Sequence, residues 1–113
     1  METMNQLASD TLLTAIESGM PNTEASAITR DSDLNILSVT LACGDDGEDG
    51  TFTVTPADVA RAMWKILKTE VKYADGLRRA ISNDLKNGSG MLIDAPAAWG
   101  IVEVAMFGEV VYC

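Results

Sequence analysis

Apolar residues recur every three or four positions at the start of the chain: Met4, Leu7, Ala8, Leu12, Ala15 and Ile16. That spacing predicts an amphipathic helix over residues 4–18, capped by Thr3, stopped by Gly19, with Asp10 and Glu17 outward. The period then changes. From Leu34 to Cys43 the side chains alternate, and Asn35, Leu37, Val39, Leu41 and Cys43 form the more apolar, core-side face. Thr51–Thr55 places Phe52 and Val54 on one side, and the two runs flank the turn-rich segment Gly44–Gly50. Together they predict a β-hairpin. Pro21 and Asn22 mark a turn, residues 23–29 read as a short strand or a short helix, and Asp31-Ser32-Asp33 reads as a turn.

Thr55-Pro56-Ala57-Asp58 is the sharpest local signal: a capping threonine, proline at the first helical position, and a carboxylate able to reach back to the cap. It predicts a helix from Pro56 to about Tyr73, with Trp64 on its apolar side and Arg61, Lys65, Lys68 and Lys72 in a stripe opposite. A second helix over 74–85 follows, unless the two are one long bent helix. Gly88 suits the residue after a helix end. Beyond it, Met91–Ile93 is expected as a short strand and Asp94–Ala98 as a loop. Trp99–Met106 is expected as a strand, Phe107-Gly108 as a turn or bulge, and Glu109–Cys113 as a terminal strand. The expected class is α+β: N-terminal helix, hairpin, one long or two consecutive helices, then C-terminal strands. The sheet is expected to be antiparallel or mixed, with helices on one face. A terminal strand at a sheet edge would pair with a second copy, which is the ground for expecting a homodimer.

At 113 residues, 47% hydrophobic and 22% charged, the chain suits a single domain over 1–113 with its own core. The N-terminus has neither the basic segment nor the apolar run of a signal peptide, and no stretch approaches the roughly 20 apolar residues of a membrane span. Cys43 and Cys113 make no disulfide framework, so both are read as reduced, in a cytoplasmic protein.

Charge changes the picture more than composition does. Residues 1–58 carry eleven acids against Arg30 alone; residues 59–86 carry seven bases against Glu70, Asp75 and Asp84. An acidic pole beside a basic strip points to charged partners. The net charge of −9 argues against direct nucleic-acid binding and for a basic protein partner.

Candidate chemistry is sparse. There is no histidine, which removes the commonest general base and much of the zinc repertoire. Cys43 lies in a strand pattern and reads as a small buried hydrophobe. Asp45, Asp46, Glu48 and Asp49 crowd the hairpin loop but lack the spacing of a helix–loop–helix calcium site, so no metal is expected. Their alternative role is electrostatic, a cluster of like charge able to enter a basic groove. Gly88-Ser89-Gly90 is neither a dinucleotide fingerprint nor a phosphate loop. Trp99-Gly100, with Pro96, Ala97 and Ala98, is a weaker pocket candidate, and Glu103 and Glu109 would face each other only across a hairpin turn. No cofactor and no catalytic residue is expected.

The order of elements resembles the small acidic secretion chaperones, which implies a cytoplasmic dimer holding an unfolded segment; their closing helix is not expected here. The preferred reading is a non-enzymatic protein-binding module, such as a phage- or mobile-element-encoded inhibitor docking on a nucleic-acid-handling protein. It acts through Asp45, Asp46, Glu48 and Asp49, with Asp31 and Asp33 extending the surface. The alternative is a phosphate, nucleic-acid or small-ligand module using Arg61, Lys65, Lys68 and Lys72. No interleaved aromatic is expected on that stripe.

Overall fold

A computed structural model describes residues 3–88 and 91–110. The elements are α1 (Met4–Ser18), β1 (Thr23–Arg30), β2 (Ile36–Cys43), a single 3-10 turn (Asp45–Gly47), β3 (Gly50–Val54), α2 (Pro56–Leu67), α3 (Asp75–Asn87) and α4 (Ala95–Phe107). The class is α+β: four helices and one antiparallel three-stranded sheet, in the order β1-β2-β3.

α1 has the predicted bounds. Thr3 accepts the Gln6 N–H at its start, and Leu7, Ala8, Leu12 and Ala15 are buried. β2 and β3 pair from Val39↔Val54 to Cys43↔Gly50. Val39, Leu41 and Cys43 are buried, as their alternation requires, but the phase fails earlier in the strand: Ile36 is buried and Leu37 exposed. The cause is a register shift. Thr29 pairs with Ser38 and Arg30 with Ile36, so Leu37 has no partner across the ladder and the faces invert around it. β1 is an edge strand whose residues 24–30 are all exposed, which is why its sequence carries no alternation.

The expected C-terminal strands are absent among the described residues. Trp99–Met106 belongs to α4, the most buried helix of the fold. Ala98, Gly100, Ile101, Val102, Glu103, Val104 and Met106 are all buried, so apolar residues surround the helix instead of following a period. An apolar run of this kind is ambiguous between helix and strand, and its ends decide. Asp94 accepts the Ala97 N–H at 3.0 Å, Pro96 sits in the first turn, and Gly108 closes the helix at φ 79° with its N–H on Val104 O. Met91–Ile93 is no strand either. The carboxylate of buried Asp84, in α3, accepts the N–H groups of Leu92 and Ile93, both at 2.9 Å, and so takes the donors a ladder would need. The expected strand Glu109–Cys113 falls partly outside the described residues; its described part, Glu109 and Val110, is not a strand. The terminal run on which the homodimer expectation rests lies, from residue 111 on, outside the described residues.

α2 ends six residues before the predicted Tyr73. The N–H groups of Thr69 and Glu70 turn back onto Ile66 O and Lys65 O at 3.1 and 3.0 Å, with Thr69 at φ 61°. This is a Schellman closure built on threonine instead of glycine. α1 packs on α2 and α4, α3 on α2 and α4; β2 meets α1 and α2, and β3 meets α4. The Phe52 and Phe107 rings join β3 to the end of α4 edge to face, centroids 5.1 Å apart. No helix among the described residues is long and apolar enough to cross a membrane.

Candidate charged interaction surfaces

The acidic cluster sits on the connection between β2 and β3. Its backbone is tightly closed: Gly44 N–H donates to Asn22 O at 2.7 Å, Glu48 N–H to Asp45 O at 3.0 Å and Asp49 N–H to Cys43 O at 2.9 Å. Asp46 takes the left-handed conformation at φ 53°, which Asp tolerates better than most residues. Gly44 lies at φ 81°, a conformation that favours glycine, and a Cβ there would have to displace the exposed Asp49 carboxylate. Asp45, Asp46, Glu48 and Asp49 are all exposed. Among the described residues no three acidic, cysteine or histidine side chains are placed to hold a metal ion, so these carboxylates do not converge.

Asp31 and Asp33 do not extend this surface. They lie in the β1–β2 turn at the far end of β2, which at the usual strand rise is about 24 Å away. Asp31 shapes its own turn: it accepts the N–H groups of Asp33 and Asn35 and the Asn35 side-chain amide. The Asn35 backbone N–H is the largest influence holding its carboxyl below the usual carboxylate range.

The basic stripe is shorter than its spacing implied. Arg61 and Lys65 lie on α2 and Lys68 caps it, whereas Lys72 falls in the turn beyond. The helix begins as the sequence predicts, with Thr55 accepting the Asp58 N–H and Asp58 accepting the Thr55 N–H. Asp58 also pairs with Arg61, and Asp75 with Arg78 at 3.1 Å, both within one helix turn. Trp64 is not core. It is 49% exposed and lines a shallow groove of about 570 Å³ with Arg61, Lys65, Lys68 and Glu70. The stripe therefore does carry an aromatic. Its position is legible in the sequence, three residues after Arg61 and four before Lys68, but the apolar side of α2 is narrower than its composition suggests.

The remaining candidates resolve into packing. Cys43 is fully buried, and its Sγ lies 3.6 Å from Met106 Sδ. Burial pushes the thiol above its ordinary pKa, the Asp49 and Glu103 charges add to that, and the Thr23 hydroxyl opposes it. Cys113 lies outside the described residues. Glu103 is buried within α4 and Glu109 exposed beyond it, so they do not meet across a hairpin. Pro96, Ala97 and Gly100 do line an open apolar groove of about 470 Å³ between α3 and α4, with Tyr73, Gly76, Leu77 and Val110. Trp99 is not part of it, and no lining residue carries a carboxylate.

Comparison with protein-family models, curated proteins and solved structures finds no match to this chain. The resemblance to secretion chaperones rests on element order alone: against expectation the described chain does close on a helix, α4, but the strands expected before its end are missing among the described residues.

Proposed function

We propose that the chain is a non-enzymatic protein-binding module whose acidic β2–β3 tip docks on a basic surface, of the kind a nucleic-acid-handling protein presents. One observation carries this reading: four carboxylates stand exposed on a turn whose backbone hydrogen bonds already fix its shape. Preorganised charge loses little conformational freedom on binding, and a single-signed protrusion steers encounter with an oppositely charged groove. Neither described ion pair uses Asp45, Asp46 or Glu48, so both of those pairs leave their charge for a partner.

The test compares the wild type with a D45N/D46N/E48Q variant. Each is used to capture nuclease-treated lysate at low and high salt, and the affinity of the retained partner is then measured. The reading expects a basic protein, released by high salt, whose affinity falls about tenfold or more in the variant while the thermal midpoint is unchanged. Equal affinity of the two chains for the same partner would overturn it.

A further inference from the structure

The groove around Trp64 combines two features that a solvated helix face does not need together. Arg61, Trp64 and Lys68 follow at intervals of three and four on α2, so they stand in one row on the helix surface. Lys65 lies one turn from Arg61 beside that row, and Glu70 closes the rim because the Thr69 turn folds it back toward Lys65. Trp64 stands half exposed between Arg61 and Lys68 along the helix, so its ring face is open to solvent beside the cations. Arg61 already pairs with Asp58, so it is Lys65 and Lys68 that call for an anion, and the indole face calls for a planar ring.

We propose that this groove contacts a single strand of nucleic acid: the Trp64 indole stacks one base, and Lys65 and Lys68 hold the flanking phosphates, with the Asp58-paired Arg61 at the edge. This does not rest on the acidic-tip reading; it uses the opposite charge and a different element. The row from Arg61 to Lys68 spans about 10 Å at the helical rise, which suits one or two nucleotides. A duplex is disfavoured, because its bases are already stacked and a net charge of −9 repels its denser phosphates. An acidic peptide would satisfy the cations but leave the indole without a stacking partner.

The experiment titrates the protein at low salt with a deoxythymidine strand of about eight nucleotides and follows tryptophan emission. A polyglutamate peptide of matched charge runs in parallel. The chain has two tryptophans, and Trp99 is hydrogen-bonded to Ser18, so Trp64→Phe separates the two signals. Saturable quenching is expected with the oligonucleotide and not with polyglutamate. The slope of log affinity against log salt should be about −1.4, as two unpaired cations on a single strand give. Trp64→Phe should abolish the quenching and Trp64→Ala should weaken binding about tenfold, while Glu70→Gln should tighten it by removing the rim carboxylate. Trp64 is exposed enough that both substitutions keep the fold; the emission of Trp99 reports on it in either case. The proposal is overturned by flat titrations up to about 1 mM strand, by unchanged affinity in Trp64→Ala, or by equal quenching with polyglutamate. That last result would make the groove an acidic-peptide site.

Discussion

The Trp99 indole N–H donates to Ser18 Oγ at 2.8 Å, and the same hydroxyl donates to Thr14 O at 2.6 Å. A hydroxyl that gives one bond and receives another is fixed in direction, and here it ties the end of α1 to the start of α4 across 81 positions. Trp99→Phe keeps most of the ring's packing and removes the donor. It should cost about 1 kcal/mol in urea denaturation, and Ser18→Ala a similar amount. If the bond accounts for both losses, the double variant is little worse than either single one, with a coupling of at least about 0.5 kcal/mol. Simple additivity would mean that the two side chains act independently.

Thr69 closes α2 at φ 61°, in the left-handed region where a β-branched residue is strained. Its side chain is exposed and its hydroxyl donates, among the described residues, to the adjacent Lys68 carbonyl, so little packing is lost by removing it. Thr69→Gly should therefore raise stability by up to about 1 kcal/mol, even though glycine adds entropy to the unfolded chain. A higher urea midpoint with an unchanged slope would be the signature. A loss of stability would mean that this turn is held by something other than its backbone geometry.

The same threonine explains part of what the sequence left hidden. The start of α2 was legible because Thr55, Pro56 and Asp58 announce it chemically, and α1 was legible because its period is clean. The end of α2 has no glycine to announce it, so the spacing predicts a helix through Tyr73 and puts Lys72 on a stripe it does not join. α4 is hidden for the opposite reason. It is surrounded by other elements and therefore apolar on every side, which erases the 3.6-residue period that marks a helix. Asp94 and Gly108 were its readable signals, and they are the same kind of end marks that gave α2 its start. At the acidic tip the residues were readable but their rigidity was not, since it comes from Asn22, across the β1–β2 pair, and from Cys43. At the basic stripe the charges were readable, whereas the exposure of Trp64 depends on where neighbouring helices leave α2 uncovered, which no local pattern encodes.

Cys43 gives the fold a defined response to alkaline pH. Burial, chiefly, raises its thiol above the ordinary 9.0, and the nearby Asp49 and Glu103 charges push the same way. The folded state thus holds the proton more tightly than the unfolded state. For such a group the contribution to stability is fully present below the unfolded pKa and is lost as pH rises through the folded value. Wild-type stability should fall more steeply above about pH 9 than that of Cys43→Ala, with Cys113→Ser present in both chains to remove the second thiol. In that Cys113→Ser background a thiol reagent at pH 8 should label Cys43 only as fast as the protein opens, so labelling should accelerate with added urea well before the unfolding midpoint. Rapid labelling in the absence of denaturant would show a Cys43 sulfur reachable by solvent, at odds with its burial beside Met106.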